Sequence, residues 1–428
     1  MLIEFRVENH RSLRDEQVLT MEAGRVGDES DPRPRKVSGY PEKLLTVAGL
    51  YGANASGKSN VLAALEFMRV AVLASHRFWS PDDGVPRDPF AWGVKKPSLF
   101  EATFLIDGIR FQYGFVASDK CFLEEWLFAW PKKHKQLWFE RIENNFKFGE
   151  YFKGENKLIE DVTRPNALFL SAAFQHNHPC LHAVFTWFRS VQPLNIPLHR
   201  SYSFFSSKRS SPRRYGSVQL LEEGDLRQRP LLSNEESSKQ LSDQFRELLV
   251  SADFGIEDYR VEVEELEDDF HNRSKIVSYY FKHRSDSDNV WLPLDEESNG
   301  TKVMFYMALP ILKTLQDGGI LFIDELERSL HPYLARKIIS QFNNPETNPN
   351  NAQLIFTTHD TNLLGTMLGE PALRRDQVWL TEKNPEGATE LYPLTDYKPR
   401  KAENIERGYL QGRYGAIPFV ENFSVAGE

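Results

Sequence analysis

The stretch Gly52-Ala53-Asn54-Ala55-Ser56-Gly57-Lys58-Ser59 decides how the rest of this sequence is read. It satisfies G-x-x-x-x-G-K-[ST] at every fixed position, the pattern of a loop that cradles phosphates. A chain of phosphate oxygens needs several donors aimed at one point. Glycines at 52 and 57 let successive backbone N–H groups turn toward that point. Lys58 adds a mobile positive charge, and the Ser59 hydroxyl can ligate an accompanying Mg²⁺. Such a loop belongs between a strand and a helix, so that the helix N-terminus also faces the anion. Leu44–Tyr51 is an apolar run of strand length, and Asn60–Met68 is apolar at helical spacing.

The chain has 428 residues, more than one ordinary core requires, which predicts two domains or one elaborated domain. Its net charge of −9 excludes a uniformly basic nucleic-acid coat and leaves room for a local basic patch. Two cysteines, Cys121 and Cys180, are too few for a disulfide framework and suit a reducing compartment. No apolar run reaches membrane-spanning length, and the first residues, MLIEFRVENHRSL, are charged where a signal peptide is apolar. A cytoplasmic protein with no membrane partner is the expectation.

Leu2–Val7 alternates as an edge or half-buried strand would, and residues 22–43 read as a loop. Segments between 98 and 152 alternate as antiparallel hairpins, with Asp107-Gly108 as a two-residue turn. Helical patterns follow around Leu181–Ser190 and over 234–253, and strand character returns over 258–283. Between Ser59 and Ser298 no heptads persist, which excludes a long coiled-coil arm.

The other parts of a hydrolytic site follow in order. Gly318-Gly319-Ile320-Leu321-Phe322-Ile323 is a strand buried on both faces, ending in Asp324-Glu325. Asp324 can hold Mg²⁺ opposite Ser59, and Glu325 can act as general base on an attacking water. About thirty residues on, Gln353–Thr358 is a second such strand, and His359 at its end can contact a terminal phosphate. Upstream, Glu297-Ser298-Asn299-Gly300-Thr301 opens a helical run. A Ser-x-Gly turn there makes a second anion site, which two chains packed head to tail can use.

The order GANASGKS, ESNGT, ILFIDE, TTHD resembles the ABC-type ATPase heads of the SMC, RecF and OLD families. ESNGT, the opening FRVENHRSL, and the C-terminal segments Arg375–Lys383, Leu394–Tyr397 and Gly408–Pro418 look closest to the RloA/AbiL-like AAA ATPases of bacterial phage defence. The resemblance covers both ends and the ATPase motifs, while residues 60–290 match only in general pattern. It implies an α/β fold of the ABC-type ATPase head. A P-loop parallel or mixed sheet core would carry an antiparallel β lobe and an inserted, mostly helical region. The expected division is an N-terminal ATPase lobe over 1–152 and a helical insert with a basic loop over 153–257. A C-terminal ATPase lobe over 258–400 and a tail over 401–428 follow.

The resemblance further implies ATP and Mg²⁺ as cofactors. Gly52, Asn54, Gly57, Lys58, Ser59 and Asn60 would contact nucleotide, and Ser59 and Asp324 the metal. Glu325 would be the base and His359 the switch histidine, with Ser298 and Gly300 acting across a homodimer or higher oligomer. Arg11 matches a basic position near the nucleotide; His10 stands where the family has an aromatic residue. Ser329-Leu330-His331-Pro332 occupies the place of a loop that crosses the dimer interface, and Gln112 is a candidate for the family's glutamine loop.

Three features compete for other readings. His176, His178, Cys180 and His182 alternate like ligands on one strand face, but Pro179 interrupts them and no second ligand pair accompanies them. Residues 199–217 carry five Arg/Lys and no acid; a solvated loop is preferred there over a nucleic-acid face with Tyr202, Phe204 and Phe205 stacking on bases. The aromatic segment 408–420 reads equally as core or as a partner's docking surface. The leading functional expectation is a nucleotide-gated dimer controlling a separately encoded effector in anti-phage defence. The alternative is a RecF/SMC-like repair ATPase that binds DNA. Roughly 70 residues after His359 are too few for an OLD-type nuclease domain.

Overall fold

A computed structural model describes residues 1–418 except 28–29, 133, 195–235, 253–254, 268–272, 285–289 and 401–402. The basic run 199–217 and the last residues of the aromatic tail therefore lie outside the described residues.

The chain opens with β1 (Leu2–Glu8), β2 (Gln17–Thr20), the short pair β3 (Arg35–Lys36) and β4 (Lys43–Leu44), and β5 (Val47–Gly52). The phosphate-loop helix α1 (Lys58–Ala74) leads to an antiparallel run: β6 (Ser98–Ile106), β7 (Ile109–Ala117), β8 (Phe122–Trp130), β9 (Gln136–Ile142) and β10 (Asn145–Phe148). Helices α2 (Asn156–Val162), α3 (Phe169–Gln175) and α4 (His182–Ser190) precede β11 (Val191–Pro193) and α5 (Glu236–Ala252). Then come β12 (Ile256–Glu267), β13 (Arg273–His283), β14 (Trp291–Pro293), α6 (Asn299–Asp317), β15 (Ile320–Ile323), α7 (Pro332–Asn343) and β16 (Gln353–Thr357). The last elements are β17 (Val378–Lys383), β18 (Thr389–Pro393) and α8 (Ile405–Leu410).

Two sheets matter for function. The six-stranded sheet runs β11-β15-β16-β5-β17-β18, parallel except for β18. Every residue of β5, β15 and β16 is buried, as strands covered on both faces must be. Because these three are parallel, their carboxyl ends emerge along one edge. The phosphate loop, Asp324 and His359 are thus delivered to the same place. The seven-stranded antiparallel sheet, β10-β9-β8-β7-β6-β1-β2, stands beside it. Gln353 joins the two sheets: its Oε1 accepts the Leu2 amide at 2.5 Å, and its Nε2 donates to the Leu2 and Leu45 carbonyls, 3.0 Å each.

Most sequence expectations about elements hold, with one change: the predicted strand Leu44–Tyr51 is broken, its start pairing with β3 and its remainder forming β5. β1 is the half-buried strand of the two alternatives, flanked by β6 and β2. The Asp107-Gly108 turn takes left-handed φ at both residues, 49° and 76°, the geometry that joins tightly twisted strands. Helix α1 buries nearly its whole circumference, not one face; Ala63, Ala64, Ala71 and Ala74 let neighbours approach closely.

The antiparallel sheet holds α3 through a buried carboxylate. Glu125 accepts the Tyr113 hydroxyl at 2.9 Å and the Phe169 and Leu170 amides at 2.7 and 3.1 Å, so it also caps the helix. The Arg141 guanidinium lies 3.9 Å away and is equally buried. Glu125→Leu strands three donors and leaves the buried Arg141 charge with backbone carbonyls alone. It is expected to cost about 3–5 kcal/mol, read as a fall in the urea midpoint. An unchanged midpoint would show that the network carries no such load.

Candidate functional site

The loop Gly52–Ser59 is shaped by what surrounds it. A Cβ on Gly57, whose φ is +110°, would lie 2.1 Å from the Thr389 hydroxyl oxygen. One on Gly52 would lie 2.4 Å from that of Thr381. Glycine is required at both by close approach, and the loop is seated on β17 and β18. Thr389 donates to the Ser56 carbonyl at 2.7 Å, and the Ser56 and Thr381 hydroxyls meet at 2.6 Å. On the same side the Asn60 amide reaches the Ser12 hydroxyl at 2.6 Å, and Ser12 contacts Thr389 at 2.7 Å.

Lys58 lies almost fully buried, its ammonium bonded to the Gly52 and Ala53 carbonyls at 2.8 and 3.0 Å. The loop is therefore wrapped around its own cation. Burial lowers the Lys58 pKa, while Asp324, Glu327 and Glu325 pull it back up. Ser59 donates to Asp324 Oδ1 at 2.8 Å, and Thr357 donates to the same oxygen at 2.7 Å. The Thr357 hydroxyl in turn accepts the Glu325 amide at 2.8 Å. One threonine thus positions both carboxylate residues. Hydroxyl and carboxylate oxygens meeting at one point form the hard-ligand set that Mg²⁺ prefers, so Ser59 and Asp324 fit that ion.

Glu325 itself is exposed and adopts a left-handed backbone, φ 54°, as does Ser329 at 57°. Each costs about 1 kcal/mol or more for a non-glycine residue, and such strain concentrates at working sites. His359 is exposed beside them; its amide donates to Glu327 Oε1 at 2.6 Å, while Glu327 Oε2 is buried without a hydrogen-bond partner. The His359 pKa is lowered, first by partial burial and then by the Lys58 charge, with Glu327, Glu325 and Asp324 acting in the opposite direction.

Ser298 caps α6, its hydroxyl accepting the Thr301 amide at 3.1 Å, and is exposed to solvent. Glu297 just before it is anchored by His283 at 2.6 Å. Gly300 faces the Ser329 carbonyl, 3.2 Å from where its Cβ would lie, so the ESNGT turn and the Ser329–Pro332 segment form one surface. Asn54 is exposed at the loop's tip. Arg11 is directed to Asp88, bonding its carboxylate at 3.1 Å, while His10 fills an aromatic slot between Phe67 and Phe100. Gln112 lies in mid-strand, between Thr103 and Phe128, rather than in a loop.

Sequence reasoning missed Thr357, Glu327, Thr389 and Tyr409. The Tyr409 hydroxyl faces the Gly52 amide and donates to the Ala416 carbonyl at 3.2 Å; its ring packs on Tyr51. The described part of the aromatic tail is thus core against the loop. The His/Cys series disperses: His178 bonds Asn156, Cys180 meets the Lys153 carbonyl, and His182 stacks on Phe174. Among the described residues no group of three or more His, Cys, Asp or Glu is arranged for a metal, and no helix is long and apolar enough to cross a membrane.

The parallel sheet with its loop and carboxylate strand defines a P-loop ATPase of the AAA/ABC class. Residues 47–365 match the family described as "AAA domain, putative AbiEii toxin, Type IV TA system", and the chain belongs to that family. No curated protein matches it. Among solved structures it is similar to an Smc head bound to the C-winged helix domain of ScpA, at 11% identity and a TM-score of 0.41, covering 91% of this chain and 96% of that one. A second is an Smc head with an extended coiled coil bound to the C-terminal domain of ScpA derived from Pyrococcus furiosus. There the identity is 12% and the TM-score 0.40, covering 93% and 97%.

Thr357→Val keeps the volume and removes the hydroxyl that aligns Asp324 and Glu325. Turnover of Mg·ATP is expected to fall about 10–100-fold with ATP affinity largely kept. Equal turnover in wild type and variant would detach Thr357 from the chemistry.

Proposed function

We propose that this chain is a Mg²⁺-dependent ATPase whose active form is a head-to-tail dimer gating a separately encoded effector. The observation that carries the ATPase reading is the hydrogen-bonded series Ser59–Asp324–Thr357–Glu325 at the mouth of the loop. Bound Mg·ATP supplies a terminal phosphoryl group and the anhydride bond whose cleavage releases it. Gly52, Gly57 and the start of α1 aim backbone amides at the phosphates, and Lys58 gives them a counter-charge. Ser59 and Asp324 would hold the metal. The Glu325 carboxylate accepts a proton from the attacking water, and His359 stands where it can contact the terminal phosphate.

The dimer reading is supported by the exposed Ser298 turn. It opens a 19-residue helix with no acidic residue in its first turn, so its amides and dipole favour an anion. Brought to the loop of an opposite protomer, Ser298 and Gly300 would complete the site and weaken their hold once the terminal phosphate leaves. The defence setting is supported by the RloA/AbiL-like motif order and by the matched family's description, which names a toxin of a type IV TA system.

Glu325→Gln is expected to retain ATP binding and accumulate dimer at saturating Mg·ATP, seen by light scattering. A variant that stays monomeric there would remove Glu325 from the assigned role. Ser298→Arg is expected to leave nucleotide affinity within about threefold while abolishing dimer formation and turnover, and Lys58→Ala to weaken binding and turnover together. Unimpaired hydrolysis by Ser298→Arg would end the case for action across the dimer.

A further inference from the structure

The most exposed tryptophan on the described surface sits on one of its most firmly held loops. Trp92 is 81% exposed. Yet Asn9, at 1% exposure, donates to the carbonyls of Gly93, Lys96 and Pro97 at 2.9, 2.8 and 3.1 Å and accepts the Phe90 amide at 3.1 Å. Arg87 adds bonds to the Lys96 and Val94 carbonyls, 2.6 Å each. A large apolar ring held out in water by so many hydrogen bonds is a displayed surface, since a slack loop would let it fold onto the protein. Phe90 supports it from below, ring centroids 5.2 Å apart. Together with Asn9, Arg14, Lys96 and Glu386 these two rings wall a cavity of about 290 Å³, near the lower end of small-molecule sites.

The cavity's position gives it a ligand. Opposite the Phe90–Lys96 loop, its walls come from the two segments that seat the phosphate loop. Glu386 lies three residues before Thr389, which bonds the Ser56 carbonyl, and Arg14 lies two residues after Ser12, which bonds Asn60. Three residues span at most about 11 Å and two about 7 Å, so these walls stand within about a nucleoside's length of the residues that seat the loop. The sheet order fixes the direction. Asp324 and His359 end β15 and β16 on one side of β5; the β17–β18 turn bearing Glu386 lies on the other. A nucleotide with its terminal phosphate toward the carboxylates extends its opposite end toward the β17–β18 side.

We propose that this cavity receives the base of the nucleotide held by the Lys58 loop, with the Trp92 indole stacked on the base. The inference rests on the nucleotide-binding reading of that loop. An indole face accepts any heterocycle and gives affinity without hydrogen-bond selection among bases. Arg14 is neutralised by Asp15 and Glu386, so Lys96 is the cation of the cavity wall left to face the sugar. Trp92 is thus a binding residue that acts on the base and leaves the phosphates to the loop.

The test compares binding of Mg·ATP and of inorganic tripolyphosphate, which has no base, to the full chain by calorimetry. Trp92→Ala, a surface substitution, is expected to weaken Mg·ATP about tenfold, to leave tripolyphosphate within about twofold, and to be largely rescued by Trp92→Phe. Equal loss of both ligands would overturn the assignment by showing that the loop merely supports the phosphate site. Unchanged ATP affinity in Trp92→Ala, with binding abolished in Lys58→Ala, would overturn the base site and leave the nucleotide reading standing. A wild-type chain that binds neither ligand would remove both. Loss of a labelled single-stranded oligonucleotide from Trp92→Ala with ATP affinity intact would assign the indole to nucleic acid and overturn the proposal.

Discussion

A single oxygen atom organises the sheet edge at which the phosphate loop sits. Asp324 Oδ1 accepts from Ser59, which belongs to the phosphate loop, and from Thr357, which belongs to the neighbouring strand. The carboxylate side chain of β15 is thereby tied to β16 and to the start of α1. The same Thr357 hydroxyl takes the Glu325 amide, and the Thr357 carbonyl takes that of Leu326 at 3.0 Å, so the turn after the carboxylates follows the strand beside it. Geometry at this point depends on three parallel strands ending in register, with Ile323 beside Phe356 and Thr357 beside Leu50. A slip of one residue would invert Thr357 and break all of these bonds at once.

Around that edge the rigid and the exposed parts are distributed unevenly. Lys58, Ser56 and Thr357 are buried, whereas Glu325, His359, Ser298 and Asn54 face outward. The inward groups fix distances within the chain. The outward ones stand where water, phosphate or another protomer can meet them. Left-handed backbone at Glu325 and Ser329 brackets the turn between the carboxylates and the start of α7. The Thr357 hydroxyl, which accepts the Glu325 amide, and the His359 amide, which donates to Glu327, are both placed by β16 and hold this turn in its strained form.

Much of the fold was legible because its signals are local. Two-sided burial left continuous apolar runs at 320–323 and 354–356, and Asp107-Gly108 announced a tight turn. The motif residues were legible for the same reason, each being spelled in a short run. What escaped was set by distant pairing. Thr389 matters because β18 pairs with β17 and brings it under Gly57, and Tyr409 because α8 packs beneath Gly52. No spacing within either segment encodes those neighbours. Glu327 lies two residues beyond the ILFIDE run, and its partner is a backbone amide 32 residues away. His10 shows the reverse case. The family's aromatic position was recognisable, and the slot between Phe67 and Phe100 takes an imidazole as it would a phenyl ring, held uncharged by burial.

The brace beneath Gly52 has a bearing on how the protein is made. The phosphate loop leaves the ribosome early, with its helix and the first antiparallel strands, while Tyr409 and the two strands that seat the loop's far side are synthesised hundreds of residues later. A nascent chain therefore carries a glycine-rich loop without its floor. Under that order, a seated phosphate loop would follow the arrival of Tyr409 and the β17–β18 pair.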